Sequence, residues 1–140
     1  MTDKFSGLQY PLVKGPHGLL AKKSSVDQIK ADILQLLLTN PGERVMLPEF
    51  GTPLRRLIFE PNDTILENEA RVMISNAITR WEPRVSVTRL EVSSVVNPDA
   101  LSPDDTGDEA ERILGIKLEF IDPENISQVE ELHIELPVGQ

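Results

Sequence analysis

Cysteine is absent from the 140-residue chain. That excludes disulfide cross-links, thiolate nucleophiles and cysteine-ligated metals, and it suits a protein assembled in the cytosol. Aromatic residues are scarce, at 4%, so a core has to be built from Leu, Ile and Val. Long apolar runs are also missing. The longest compact one, ILQLLL at 33–38, falls well short of the roughly 18 residues a membrane-spanning helix needs. The opening MTDKFSGLQY has no basic stretch followed by an apolar one, so no secretory signal is expected. Positive charge is in deficit: 14 Lys and Arg stand against 23 Asp and Glu, for a net charge of −9. Such a balance argues against a nucleic-acid binder, which uses Lys and Arg to displace counterions. Solubility alone accounts for the acidity.

The motifs of catalysis are missing as well. His17 and His133 lie far apart, in different predicted elements and outside any HxxxH or HExxH pattern, so no metal site is predicted. There is no G-x-S-x-G elbow. GPHG at 15–18 lacks the Lys-Ser/Thr of a phosphate cradle. The acidic DDTGDEAE at 104–111 lacks the residue order of a calcium-binding EF-hand loop. A glycosidase needs two positioned carboxylates, but among 23 acids chance pairs abound, and Glu49, Glu60 and Glu82 gain nothing from proximity in sequence. No catalytic residue, metal or cofactor is expected.

With 39% hydrophobic and 26% charged residues, the chain reads as one globular domain over 1–140 with a modest core. Gly7, Pro11, Gly15, Pro16 and Gly18 punctuate residues 1–23, predicting an extended arm with one or two short pieces of strand. Val26, Ile29, Ile33, Leu36 and Leu37 recur at helical spacing, predicting an amphipathic helix over 26–39. Ser24 or Ser25 would cap it, with Gln28 completing a capping box, and NPG at 40–42 would end it. PLRRLIF at 53–59 predicts one or two helical turns. Asp63 would cap a second helix over 64–81, with Leu66, Ala70, Met73, Ile74, Ala77, Ile78 and Trp81 as its buried stripe and Glu67–Arg71 as an exposed pair.

Beyond Pro83 the period becomes two. Val85 and Val87 alternate, then Leu90 and Val92 alternate in the opposite phase, which predicts a bulge. NPDALSPDDTGDEAE at 97–111 predicts a polar loop. Leu114, Ile116, Leu118 and Phe120 predict a second strand, and Leu132, Ile134 and Leu136 a third, with His133 facing solvent. The fold class is therefore α+β: two main amphipathic helices packed on a small antiparallel three-stranded meander, with a short N-terminal arm.

Two stretches are compositionally unusual. LPEFGTPLRRLIFEP at 47–61 holds two Arg, two Phe and three Pro. It reads as a packed connection, in which Phe50 and Phe59 bury, Gly51 takes a special backbone angle and the Arg pair is solvated; alternatively it is a binding surface rich in Arg and aromatics. The second stretch is Glu82–Pro83–Arg84, where Pro83 ends the helix at Trp81. Arg84 there favours the helix dipole and Glu82 opposes it, at a cost of a fraction of a kcal/mol if exposed. Two charges beside a stiff Pro are also suited to holding a polar partner at reduced entropic cost.

LLLTNPGERVMLPEFGTPLRRLIFEPND (36–63) and AITRWEPRV (77–85) together resemble the contractile-tail baseplate wedge family, typified by the gene 25 product of T-even phages and including the type VI secretion wedge protein. The recurrent elements T-x-x-G-(E/S)-R, P-x-F-G, L-x-x-L-x-F-E and E-P-R all occur here in order, and the resemblance spans about residues 18–136. It implies a non-catalytic structural protein of the virion tail baseplate, assembled in the host cytoplasm, with the phage and phage-derived branches the better match. By the same resemblance Glu82, Pro83 and Arg84 contact the helical core bundle of the wedge, while Pro48, Phe50 and Gly51 form a structural corner. The C-terminal strands would template the first ring of tail sheath subunits by strand pairing. Core-bundle proteins and sheath are the implied partners, with tube or hub proteins as further neighbours and neither nucleic acid nor membrane. The weighed alternatives are a peptidoglycan glycosidase, using acids such as Glu49 and Glu60, and a soluble regulatory adaptor on the same fold.

Overall fold

The computed structural model describes residues 6–59, 64–96, 112–123 and 126–138. Two short strands, β1 (Ser6–Leu8) and β2 (Lys22–Ser24), pair antiparallel in the arm and lead into α1 (Ser25–Leu38). A 3-10 turn over Leu54–Phe59 precedes α2 (Thr64–Trp81). The chain then forms β3 (Ser86–Val96), β4 (Arg112–Ile121) and β5 (Val129–Val138), an antiparallel sheet in the order β3-β4-β5.

Both helices form where apolar residues recur every three to four positions, and both bury that stripe. Ile29, Ile33, Leu36 and Leu37 of α1 meet Leu66, Ala70, Ile74, Ala77 and Ile78 of α2, with Met73 and Trp81 half-buried against them. Strand β4 supplies the other wall. Leu114, Ile116, Leu118 and Phe120 are buried without exception while the residues between them are only half-buried, as the pleat requires. Each such side chain contributes about 1.5–3 kcal/mol. Helix α2 lies toward β3, where the Glu67 carboxylate accepts from the Ser94 N–H at 3.5 Å. Helix α1 lies toward β5, where Lys30 pairs with Glu130 at 2.7 Å.

The bulge expected from the phase slip is present. Val87 stands opposite Phe120 but Arg89 opposite Glu119, so Thr88 is the extra residue. With one residue inserted, Val87 and Leu90 can both turn to the side occupied by Phe120 and Leu118. His133 is exposed on β5, as its alternation with Leu132 and Ile134 requires.

Two local expectations are corrected. Ser25 opens α1 with φ +57°, and the side chain of Ser24, the other cap considered, lies outside the described residues. The capping box does not form: Gln28 Nε2 donates to Asp32 Oδ1 at 2.7 Å, and Gln28 Oε1 is buried without a partner. Nor do Glu67 and Arg71 pair. Glu67 turns to β3, and Arg71 Nη1 donates to Asn68 Oδ1 at 3.1 Å instead. Expectations resting on Glu60, Asp63, the 97–111 loop and the side chain of Phe59 lie outside the described residues.

Candidate functional site: the corner after the second helix

The helix stop is built by backbone bonds around Pro83. The Glu82 N–H donates to the Ile78 carbonyl at 2.8 Å, the last helical bond, and the Val85 N–H donates to the Glu82 carbonyl at 3.1 Å, closing a tight turn. Pro83 stands at the outside of that turn and is exposed. Its fixed φ pre-sets the corner.

Glu82 is not the solvated surface charge considered from sequence. Its side chain is only 8% exposed. Arg84 grips it with a two-point fork: Nε donates to Oε1, and Nη2 donates to Oε2 at 2.7 Å. Nη2 also donates to Asp32 Oδ2 at 3.0 Å. The hydrogen bonding it donates to Glu82, ahead of the other contributions, holds the Arg84 guanidinium well above its ordinary pKa. A planar guanidinium matches a carboxylate in this geometry, which a lysine could not copy. The arrangement ties the end of α2 to the middle of α1, with Arg84 about one-third exposed at the surface.

Asp32 is the member that sequence reasoning missed. It is an acid beside an apolar stripe, four residues from Gln28. That position was the available signal, but its partner lies 52 residues away.

Beside the corner is a cavity of about 220 Å³ lined by Asp32, Gln35, Leu36, Arg44, Phe50, Trp81 and Glu82. One wall is aromatic: Phe50 meets Trp81 edge-on, with ring centroids 5.3 Å apart. The Arg44 guanidinium lies 4.0 Å above the Phe50 ring, within cation–π range. The structure thus brings the 48–51 segment next to the 82–84 corner, two stretches separated by a whole helix.

Gly51 shows why that segment turns as it does. Its φ is +118°, and a Cβ there would sit 2.2 Å from the Thr39 carbonyl oxygen. The close approach lets the Thr52 N–H donate to that oxygen at 2.8 Å and the buried Thr52 hydroxyl donate to the Leu36 carbonyl at 3.3 Å. The Leu36 carbonyl in the last turn of α1 and the Thr39 carbonyl just beyond it are satisfied in this way. Pro48 contributes its carbonyl to the Gly42 N–H at 2.7 Å, and Gly42 itself has φ +93°. Phe50 is half-buried, whereas Arg55 and Arg56 are exposed.

Glu49 pairs with Arg80, both well exposed. The described residues hold no group of three or more acids or histidines placed to bind a metal, and no helix among them is long and apolar enough to cross a membrane.

Comparison with known proteins agrees with this architecture. Residues 23–107 match the family model of baseplate wedge protein gp25. Baseplate protein W of Escherichia phage P2 is 32% identical over 65 residues, which are 46% of this chain and 56% of that protein, so the match spans little more than half of the relative's length. Three solved structures share the fold. One from Geobacter sulfurreducens, provisionally named a tail lysozyme, has TM-score 0.63 and 22% identity, covering 81% of this chain and 91% of that one. The anti-feeding prophage baseplate gives 0.60 at 18% identity, covering 97% and 87%. The pyocin R2 baseplate after contraction gives 0.54 at 21%, covering 96% and 100%. The family match takes in more than half of the chain, which therefore belongs to the baseplate wedge protein gp25 family and is a wedge-like structural component of a contractile tail baseplate.

Proposed function

We propose that the chain works as a non-catalytic connector, holding the helical core bundle of the wedge at its 82–84 corner and offering its sheet to the first sheath ring. The observation that carries this reading is the division of labour inside the corner. Glu82 is buried and spends its carboxylate on Arg84, so the motif's outward elements are the exposed Pro83 and the outer part of the Arg84 guanidinium. Glu82 and Asp32 fix where that guanidinium points. A cation aimed in advance loses little freedom on docking, so polar contacts from a helical partner are gained at a reduced entropic cost. The 48–51 segment supports the corner from below through the Phe50–Trp81 contact.

Strands β3 and β5 flank β4 and stand at the two sides of a sheet only three strands wide. Each therefore has one side with no strand partner among the described residues. Main-chain groups along such a side can bond an incoming strand, with alternating side chains setting its register.

The test is the double substitution Glu82→Ala with Arg84→Ala, which removes both charges together and so leaves neither stranded. The variant is expected to fold, with the far-ultraviolet circular dichroism of the parent, yet to stop baseplate or sheath assembly. Tails of normal appearance in electron micrographs of the variant would remove the corner from the assembly interface.

A further inference from the structure

Charge is segregated along this chain in a way that the corner does not use. Residues 6–24 contain three Lys and no Asp or Glu, leaving eleven Lys and Arg against all 23 acids elsewhere. Residues 6–24 thus carry +3, and the rest of the sequence −12. Lys14, Lys22 and Lys23 take no part in an ion pair among the described residues.

These residues form an irregular hairpin. Leu8 stands opposite Lys22, and after an interruption at 10–12 the pairing resumes with Lys14 opposite Leu20. Residues opposite one another in an antiparallel pair share a face, as do residues two apart on one strand. Leu8, Lys22, Leu20 and Lys14 therefore lie together. That face is the outer one, because a Cβ on Gly7, the intervening residue, would meet the Gln28 side chain of α1 at 2.7 Å. Leu8 and Leu20 are each 52% exposed, and Leu12 on the interrupting segment is 65% exposed.

We propose that this outer face of the hairpin docks a short, acidic, amphipathic segment of another protein. The leucines supply apolar contact, and Lys14 and Lys22, set among them, pair with its carboxylates. Charge complementarity selects the occupant: Lys14 and Lys22, set among exposed leucines, attract carboxylates. Two lysines on this face fall short of the roughly four to eight that hold an anionic lipid surface, which favours a narrow segment over a lipid headgroup layer. The hairpin also lacks the amphipathic helix that usually lies in a membrane interface.

The full chain is titrated against a labelled helical peptide with Leu on one face and Glu on the other. The controls are a peptide with Lys in place of Glu and vesicles of phosphatidylcholine containing phosphatidylglycerol. The Glu peptide is expected to bind and the Lys peptide to remain unbound. Affinity for the Glu peptide should fall at least about tenfold in Lys14→Glu/Lys22→Glu and also in Leu8→Ser/Leu20→Ser. A double substitution at exposed helix positions, Ile65→Ser/Val72→Ser, should leave binding unchanged. No binding of the Glu peptide, or equal binding by all variants, overturns the proposal. Vesicle binding in place of peptide binding overturns it in favour of lipid. Self-association that Lys14→Glu/Lys22→Glu abolishes overturns it in favour of a second copy of this chain. Circular dichroism of each variant separates loss of binding from loss of fold. If Leu8→Ser/Leu20→Ser unfolds, the lysine pair alone decides.

Discussion

Removing Arg84 alone should harm the protein more than removing Arg84 and Glu82 together. In Arg84→Ala the Glu82 carboxylate keeps its burial, at 8% side-chain exposure, but loses both guanidinium bonds. Asp32 loses its contact with the same group. Breaking a fully buried pair from one side costs about 3–5 kcal/mol. Arg84 is about one-third exposed, so water would reach the vacated site and screen part of that, leaving about 2–3 kcal/mol. In the double variant no buried charge is stranded, and what is lost is packing and one surface tie, about 1 kcal/mol. The single variant should therefore lie about 1–2 kcal/mol below the double, or several degrees in Tm for a chain of this size. Urea titrations followed by circular dichroism, run on the parent, both single variants and the double, give the coupling directly. If Arg84→Ala proves as stable as the double variant or more so, Glu82 is not held as an ion by Arg84, and the account of the corner fails.

Gly51→Ala should cost at least about 2 kcal/mol, because the new methyl meets a backbone oxygen and the φ of +118° is foreign to alanine; urea unfolding measures it, and a loss within error would refute the close approach. The Lys30–Glu130 tie between α1 and β5 predicts a pH dependence. The Lys30 hydrogen bond holds the Glu130 carboxyl below its ordinary pKa, so its stabilisation is present above the unfolded value and disappears as pH falls through the lower folded one. Lys30→Met should accordingly be less stable than the parent by up to about 1 kcal/mol at neutral pH and indistinguishable from it once Glu130 is protonated, as paired urea titrations at the two pH values would show.

Much of the architecture could be read from spacing alone, and the reasons lie in individual residues. Ile29, Ile33 and Leu36 face one packed layer, so their spacing announces a helix. Leu114 to Phe120 face another from a pleated strand, so theirs announces a strand. Even the bulge at Thr88 left a mark, because burial on one face forces the pattern to slip where a residue is inserted. Contacts that depend on chain reversal left none. Asp32 and Arg84 meet only because α1 and α2 pack together, and nothing local to either residue marks the other. Glu67 satisfied the helical-pair rule with Arg71, but a β3 amide lay within its reach. Gln28 suited a capping box by its place, but its amide donates to Asp32 one turn on. Of the candidate site, the rigid corner at Pro83 was legible; the burial of Glu82 was not, because an acid beside a proline at a helix end ordinarily faces water.

The extra residue at Thr88 also bears on how the sheet finds its alignment. A strand with strict two-residue alternation, such as β4, has a translational degeneracy: sliding a regular neighbour by two positions returns every side chain to the face it left. Hydrophobic burial alone distinguishes such alignments poorly. The bulge limits the choice by its shape: it bends β3 and sharpens its twist at Thr88, and a two-residue slide would carry that bend along β4 to a new place over the core. The inserted residue thus couples the alignment of the meander to the curvature that helix α2 packs against.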